Sequence, residues 1–177
     1  MADSNITKRA LAASIKKLMS EHPFSKVSIG DICEQCGMNR KSFYYHFRDK
    51  YDLVNWIFDR EFVLQSKQKT YSSSSEAFLD LCSYIYENKE FYRQALKVVG
   101  QNSFSDCFTN YCECCFAKEL AVNNDNNVNM FHVKLSVKML KNAIEHWLDE
   151  KENISPEAFS ASFELCLKSM TAIINNK

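Results

Sequence analysis

The sequence predicts an all-α protein of about nine helices. Three observations carry this. The 177 residues include only 3 Gly and 2 Pro, so breakers are scarce and connections short. Apolar residues recur at spacings of three and four through most of the chain, and no stretch alternates with the period of two that a strand requires. Hydrophobic residues make up 46% and aromatics 13%, enough to fill a packed core.

Taken in order, Ile6, Ala10, Ala13, Ile15, Leu18 and Met19 share helical spacing and define a first helix over 5–20, ended by Pro23. Ser28 with Asp31 is a capping signal for a second helix over 28–35. Gly37 supplies a turn, and Asn39 caps a third helix over 40–47. Asp49 and Asp52 restart the chain as a fourth helix running towards residue 69. Beyond the serine run 72–75, further helices are expected over 76–87, 91–99, 103–120 and 128–149, with 123–127 as a turn. Ser155-Pro156-Glu157 opens a last helix reaching about residue 174, with proline at its first position.

Net charge is zero but unevenly spread. Residues 1–50 hold nine Lys and Arg against five Asp and Glu, a net +4, and the remainder carries −4. A basic module of residues 1–50 on an acidic body of residues 51–177 suits a nucleic-acid-binding head with a second domain behind it. The segment MADSNITKRALAAS has no apolar core of signal-peptide type, and no apolar run approaches the roughly 20 residues a membrane helix needs. A cytoplasmic, membrane-free protein is expected, with its eight cysteines reduced.

The stretch 26–50 reads as a helix-turn-helix whose second helix lies in a DNA groove. Arg40, Lys41, Ser42 and Tyr44 are expected towards base edges, where a helix in the major groove needs donors and apolar contacts. Ser28, Tyr45, His46 and Lys50 are expected towards the phosphate backbone, and Phe43 and Phe47 towards the interior. Partly buried aromatics in a small bundle are the competing reading for Tyr44, Tyr45 and His46. The caps, the Gly37 turn and the charge asymmetry together favour DNA.

The segment 27–53 resembles the DNA-binding domain of the tetracycline-repressor (TetR) family of bacterial transcription regulators. Val27-Ser28-Ile29, Asp31-Ile32, Gly37, the block Ser42-Phe43-Tyr44-Tyr45-His46-Phe47, Lys50 and Leu53 carry the resemblance. Cys33, Cys36 and Lys41 depart from the family's usual small residues. The resemblance implies a homodimeric regulator, a repressor by the family's habit, on a palindromic double-stranded operator. Its C-terminal domain would bind an unknown small-molecule effector or a protein partner. The body, with Ile144-Glu145-His146-Trp147-Leu148 and Ser155-Pro156-Glu157, more weakly resembles a subgroup that includes the activator of dihydroxyacetone-kinase genes, which responds to a partner protein.

Within the body, Phe62, Phe78, Phe91, Phe104, Phe108 and Tyr111 are expected to line an effector pocket, with packed core as the equal alternative. Val133, Val137, Leu140, Ile144 and Trp147, with Phe159, Phe163 and Met170, form apolar stripes expected to make the dimer interface that the resemblance implies. Cys33-x-x-Cys36 has no second pair at zinc spacing and reads as packing. Cys107, Cys112, Cys114 and Cys115 leave a thiol or metal sensor as a further alternative. No metal site, cofactor or catalytic constellation is expected: the chain has no Ser-His-Asp set, Gly-rich phosphate loop or H-E-x-x-H.

Overall fold

A computed structural model describes residues 2–123 and 129–175; the side chains of 2, 3, 120, 122, 123 and 170–175 lie outside the description, as does the expected turn at 124–127. Among the described residues every regular element is helical. The helices are α1 (Ala2–Glu21), α2 (Ile29–Gln35), α3 (Arg40–His46), α4 (Lys50–Phe58), α5 (Ser74–Glu87), α6 (Lys89–Lys97), α7 (Phe104–Asn123), α8 (Met130–Asp149) and α9 (Pro156–Asn175). A 3₁₀ turn, Phe24–Lys26, follows Pro23, and α4 is prolonged by a π-helical turn, Asp59–Val63, and a final α turn, Leu64–Ser66. No described helix is long and apolar enough to cross a membrane.

The boundaries follow local chemistry. Ser28 and Asp31 close a reciprocal capping box, Ser28 N–H donating to the Asp31 carboxylate at 2.8 Å and Asp31 N–H to Ser28 Oγ at 3.2 Å. Asn39 Oδ1 accepts from Ser42 N–H at 2.9 Å, and Asp49 Oδ1 from Asp52 N–H at 2.8 Å. Gly37 sits at φ 67°, a left-handed position that a side chain disfavours, and there the chain turns between α2 and α3. Several boundaries differ from expectation, two of them for clear reasons. The helix expected from residue 91 begins at Lys89, because Asn88 alone separates it from α5. The fourth helix stops at Ser66 and contains the π turn, for which the sequence has no signature.

One hydrophobic core runs from head to body. In the head Leu11, Ile15, Met19, Ile32, Phe43, Leu53 and Ile57 are fully buried. In the body Phe58 is the centre of an aromatic cluster. Its ring lies 5.5 Å from Phe62, 5.3 Å from Phe104, 5.9 Å from Phe108 and 5.4 Å from Tyr111. The Tyr92 ring completes it at 6.2 Å.

Polar groups fasten head to body. Lys16 of α1 pairs with Glu61 of the π turn and donates to Asn88 Oδ1 at 3.0 Å. Tyr84 donates to the same Glu61 carboxylate at 3.1 Å, so the buried Tyr92 hydroxyl, 2.6 Å away, must donate to Tyr84. Gln94 of α6 accepts from Phe24 N–H at 2.7 Å and donates to Met19 O, satisfying two backbone groups that the end of α1 and the start of the 3₁₀ turn leave open.

Lys50 is placed by the same need. Its Nζ donates to Phe24 O and Val27 O, both at 2.7 Å, and lies 4.2 Å from the centre of the Phe24 ring. Burial holds its amine below the usual lysine range. Lys50, expected towards the phosphate backbone, has its ammonium held by these two carbonyls.

Two outcomes follow. Phe58→Ala should destabilise the protein by about 3–5 kcal/mol, read as a lower denaturant midpoint, since it empties the centre of the aromatic cluster. Lys50→Ala should cost roughly 2–3 kcal/mol in the same measurement. With the ammonium held inward, the salt dependence of operator binding by the folded variant should stay unchanged.

Candidate DNA interface

The seven residues of α3 are too few for a helix that is stable alone. Two of its aromatic rings supply the missing stability. Phe43 is fully buried and Phe47 is 3% exposed; their centroids are 5.8 Å apart, and Phe47 meets Trp56 edge-on at 5.7 Å. With this face fixed inward, positions 41, 44 and 45 share the outward side at spacings of three and four, and residue 48 follows just beyond the extended cap at Phe47.

Those positions carry Lys41, Tyr44, Tyr45 and Arg48. Lys41 is exposed, and Tyr44 and Tyr45 are 58% and 80% exposed. Large aromatics so far out of the core are unusual, and here two stand side by side between two cations. His46 is half-buried and meets the Tyr45 ring edge-on at 4.9 Å. The Ser42 hydroxyl donates to Asn39 Oδ1 at 3.2 Å, so it is partly engaged in the cap. Arg48 was not singled out by its sequence, yet its side chain is 81% exposed and only loosely paired with Asp52 at 3.7 Å. It lies past the end of α3, in the bend before α4, where the helical period of α3 does not reach.

Arg40 does not project with this set. Its guanidinium lies back over the first turn of α2, beside Gly30 and Ser28. Ser28 is exposed, and both its N–H and its hydroxyl are engaged with Asp31 in the capping box. Asp31 is held below the usual carboxylate range, first by the hydrogen bonds from Ser28 and then by charges that include Arg40.

In the body, the residues expected around a pocket fill space. Phe62, Phe91, Phe104 and Phe108 are buried, and Phe62 and Tyr111 pack on Phe58. Phe78 stands apart and packs on Phe159 and Phe163 at 6.3 and 5.4 Å. The two described clefts, of about 600 and 360 Å³, lie elsewhere, along α1 and α2 and between α1 and α6.

The expected dimer face also requires correction. Val133, Val137, Leu140, Ile144 and Trp147 are all buried within the chain, against α6 and α7 or under α9. Trp147 is stacked on Phe159 at 4.3 Å and donates Nε1–H to Ile154 O at 3.0 Å. Their stripe is the inner face of α8. Phe159 and Phe163 are half-buried against Trp147 and Phe78, and Met170 has a side chain outside the description. The outer surface of the two helices exposes Phe131, Leu135 and Leu165 instead.

The cysteines do not converge. Cys33 and Cys112 are buried, Cys107 is half-buried, and Cys114 and Cys115 are exposed. Burial pushes the Cys107 and Cys112 thiols up, away from the reactive thiolate, and lifts Cys82 to about 12. Among the described residues no three His, Cys, Asp or Glu side chains are grouped to hold a metal ion.

Comparison with known proteins agrees with this architecture. Residues 11–57 match the profile of bacterial regulatory proteins of the tetR family, and residues 72–169 match that of a transcriptional regulator C-terminal region. The HTH-type dhaKLM operon transcriptional activator DhaS of Lactococcus lactis subsp. lactis (strain IL1403) is 31% identical over 103 residues. That match covers 58% of this chain and about half, 54%, of the relative's length. Among solved structures, a TetR transcriptional regulator from Streptococcus agalactiae 2603V superposes with a TM-score of 0.71 at 17% identity, covering 92% of this chain and 93% of its own. The dihydroxyacetone kinase operon activator DhaS superposes with a TM-score of 0.65 at 20% identity, covering 94% and 97%. With both halves matched and a helix-turn-helix head presenting exposed aromatics and cations, this chain belongs to the TetR family of DNA-binding transcription regulators.

Proposed function

We propose that the protein acts on DNA in the cytoplasm as a homodimer that reads a palindromic operator. The outward side of α3 and the bend after it would supply the reading set: Lys41 and Tyr44 to base edges, Tyr45, His46 and Arg48 to the flanking backbone. The observation that carries this is the exposure of Tyr44 and Tyr45 on a helix whose opposite side is sealed into the core. One such helix spans too few base pairs for specificity, and a two-fold pair reads half-sites about one turn apart. The dimer face is assigned to the outer surface of α8 and α9, where Phe131, Leu135 and Leu165 are 69%, 48% and 65% exposed.

Control by a protein partner is favoured over an apolar ligand inside the body. The aromatic cluster around Phe58 occupies the space such a ligand would take. The relative DhaS is named as an activator, and the sign for this chain follows from where its operator lies. A site overlapping the promoter represses, whereas one upstream of it permits activation.

A binding assay on the gene's own upstream region, at stated salt, tests the reading. Wild-type protein should form a specific complex that a panel of small apolar ligands neither dissolves nor stabilises against heat. Ligand-driven release would overturn partner control. Lys41→Ala with Tyr44→Ala should weaken specific binding at least about 30-fold, roughly 2 kcal/mol, with the melting temperature unchanged. Equal affinity in that variant would remove the assignment of α3. Leu165→Glu should shift sedimentation from dimer to monomer and lower operator affinity together; a dimeric variant would place the interface elsewhere.

A further inference from the structure

Gly30 occupies the first turn of α2, where alanine would favour the helix more. Its φ is not left-handed, so backbone conformation does not require glycine there. The space above it does. A Cβ on Gly30 would stand 2.6 Å from Arg40 Nη2, 3.4 Å from Arg40 Cζ and 3.3 Å from Ser28 Oγ. The guanidinium fills the volume that a side chain at position 30 would otherwise take.

The direction of Arg40 follows from the period of α3. Residue 40 precedes Phe43 and Phe47 by three and seven, so it begins the inward face rather than the outward one. Its side chain emerges at the seam between the two helices, while Lys41, Tyr44 and Tyr45 point away from the head. Beside the guanidinium lies the Ser28 hydroxyl, and the negative charge of Asp31 attracts the guanidinium from the same turn. Groups flanking a recognition helix meet the phosphate backbone, whereas those on its outward side meet base edges.

We propose that Gly30 and Arg40 form one positioning unit, in which the missing side chain at 30 seats the Arg40 guanidinium on α2 as a phosphate contact instead of a base reader. This rests on the DNA-binding reading and alters the role expected of Arg40 from sequence. A guanidinium held before DNA arrives loses little freedom on binding a phosphate, and its fork suits two phosphate oxygens. Gly30 thereby acts through Arg40 without touching DNA.

The seat is tested first without DNA. In the free protein, nuclear Overhauser contacts between the Gly30 α-protons and the Arg40 side chain are expected; their absence overturns the seat whatever the protein binds. Gly30→Ala should then keep the fold and its melting temperature. Against a panel of operator variants, Gly30→Ala and Arg40→Ala should each weaken every sequence by a common factor, on the order of tenfold, as loss of one phosphate contact does. The double variant should be no weaker than Arg40→Ala alone, and the salt slope should become shallower by about one. If Arg40→Ala instead abolishes discrimination at a single base pair, Arg40 is a base reader and the proposal fails. If the losses of the two single variants multiply, the pair is not a unit. Failure of wild-type protein to bind any operator would count against the DNA reading, which the contacts measured in free protein keep separate.

Discussion

The burial of Phe43 and Phe47 is the contact on which the rest of this molecule depends. A two-turn helix has no stability of its own, so its orientation is whatever its anchored side dictates. Once both rings are locked among α1, α2 and α4, the opposite side of α3 is fixed in space, and Lys41, Tyr44, Tyr45 and Arg48 are presented together. The outward aromatics are available because the inward ones already complete the core. Moving the helix by even one residue would turn it by about 100° and withdraw part of the outward set.

The joint between head and body is built with comparable redundancy. Apolar packing runs through it without interruption from Ile57 to Phe58 and on into the aromatic cluster, while Lys16, Glu61, Tyr84 and Gln94 tie the same elements by hydrogen bonds. Gln94 is notable because a body residue terminates a head helix. A body that shifts α6 therefore shifts the end of α1 and the 3₁₀ turn, and the head cannot remain indifferent. That is the physical requirement for two states with different spacing between paired heads. It demands no cavity at the aromatic centre, only a partner that prefers one position of α6.

Much of this was legible in the sequence, and the limits were physical. Caps and turns were readable because Ser28–Asp31, Asn39–Ser42 and Gly37 act over three or four residues. The stripe on α8 was readable as apolar, but an apolar stripe does not say whether its complement belongs to the same chain or a second one; packing decided for the same chain. Lys50 reads as a surface cation until the carbonyls of Phe24 and Val27, more than twenty residues earlier, are brought beside it. Arg40 and Gly30 are likewise unremarkable apart and interpretable only together. The π turn leaves no trace in composition, yet it carries the Glu61 that meets Lys16.

The opposite charges of head and body have a consequence for how the molecule arrives. Residues 1–50 carry +4 and the remainder −4, so the chain has no net charge but an uneven one, positive in the head and negative in the body. In the field of a polyanion such a molecule experiences torque rather than simple pull. The body is turned away and the head turned in before any side chain touches a groove. The effect acts within about a Debye length, roughly 8 Å at physiological salt, so it selects among encounters already close.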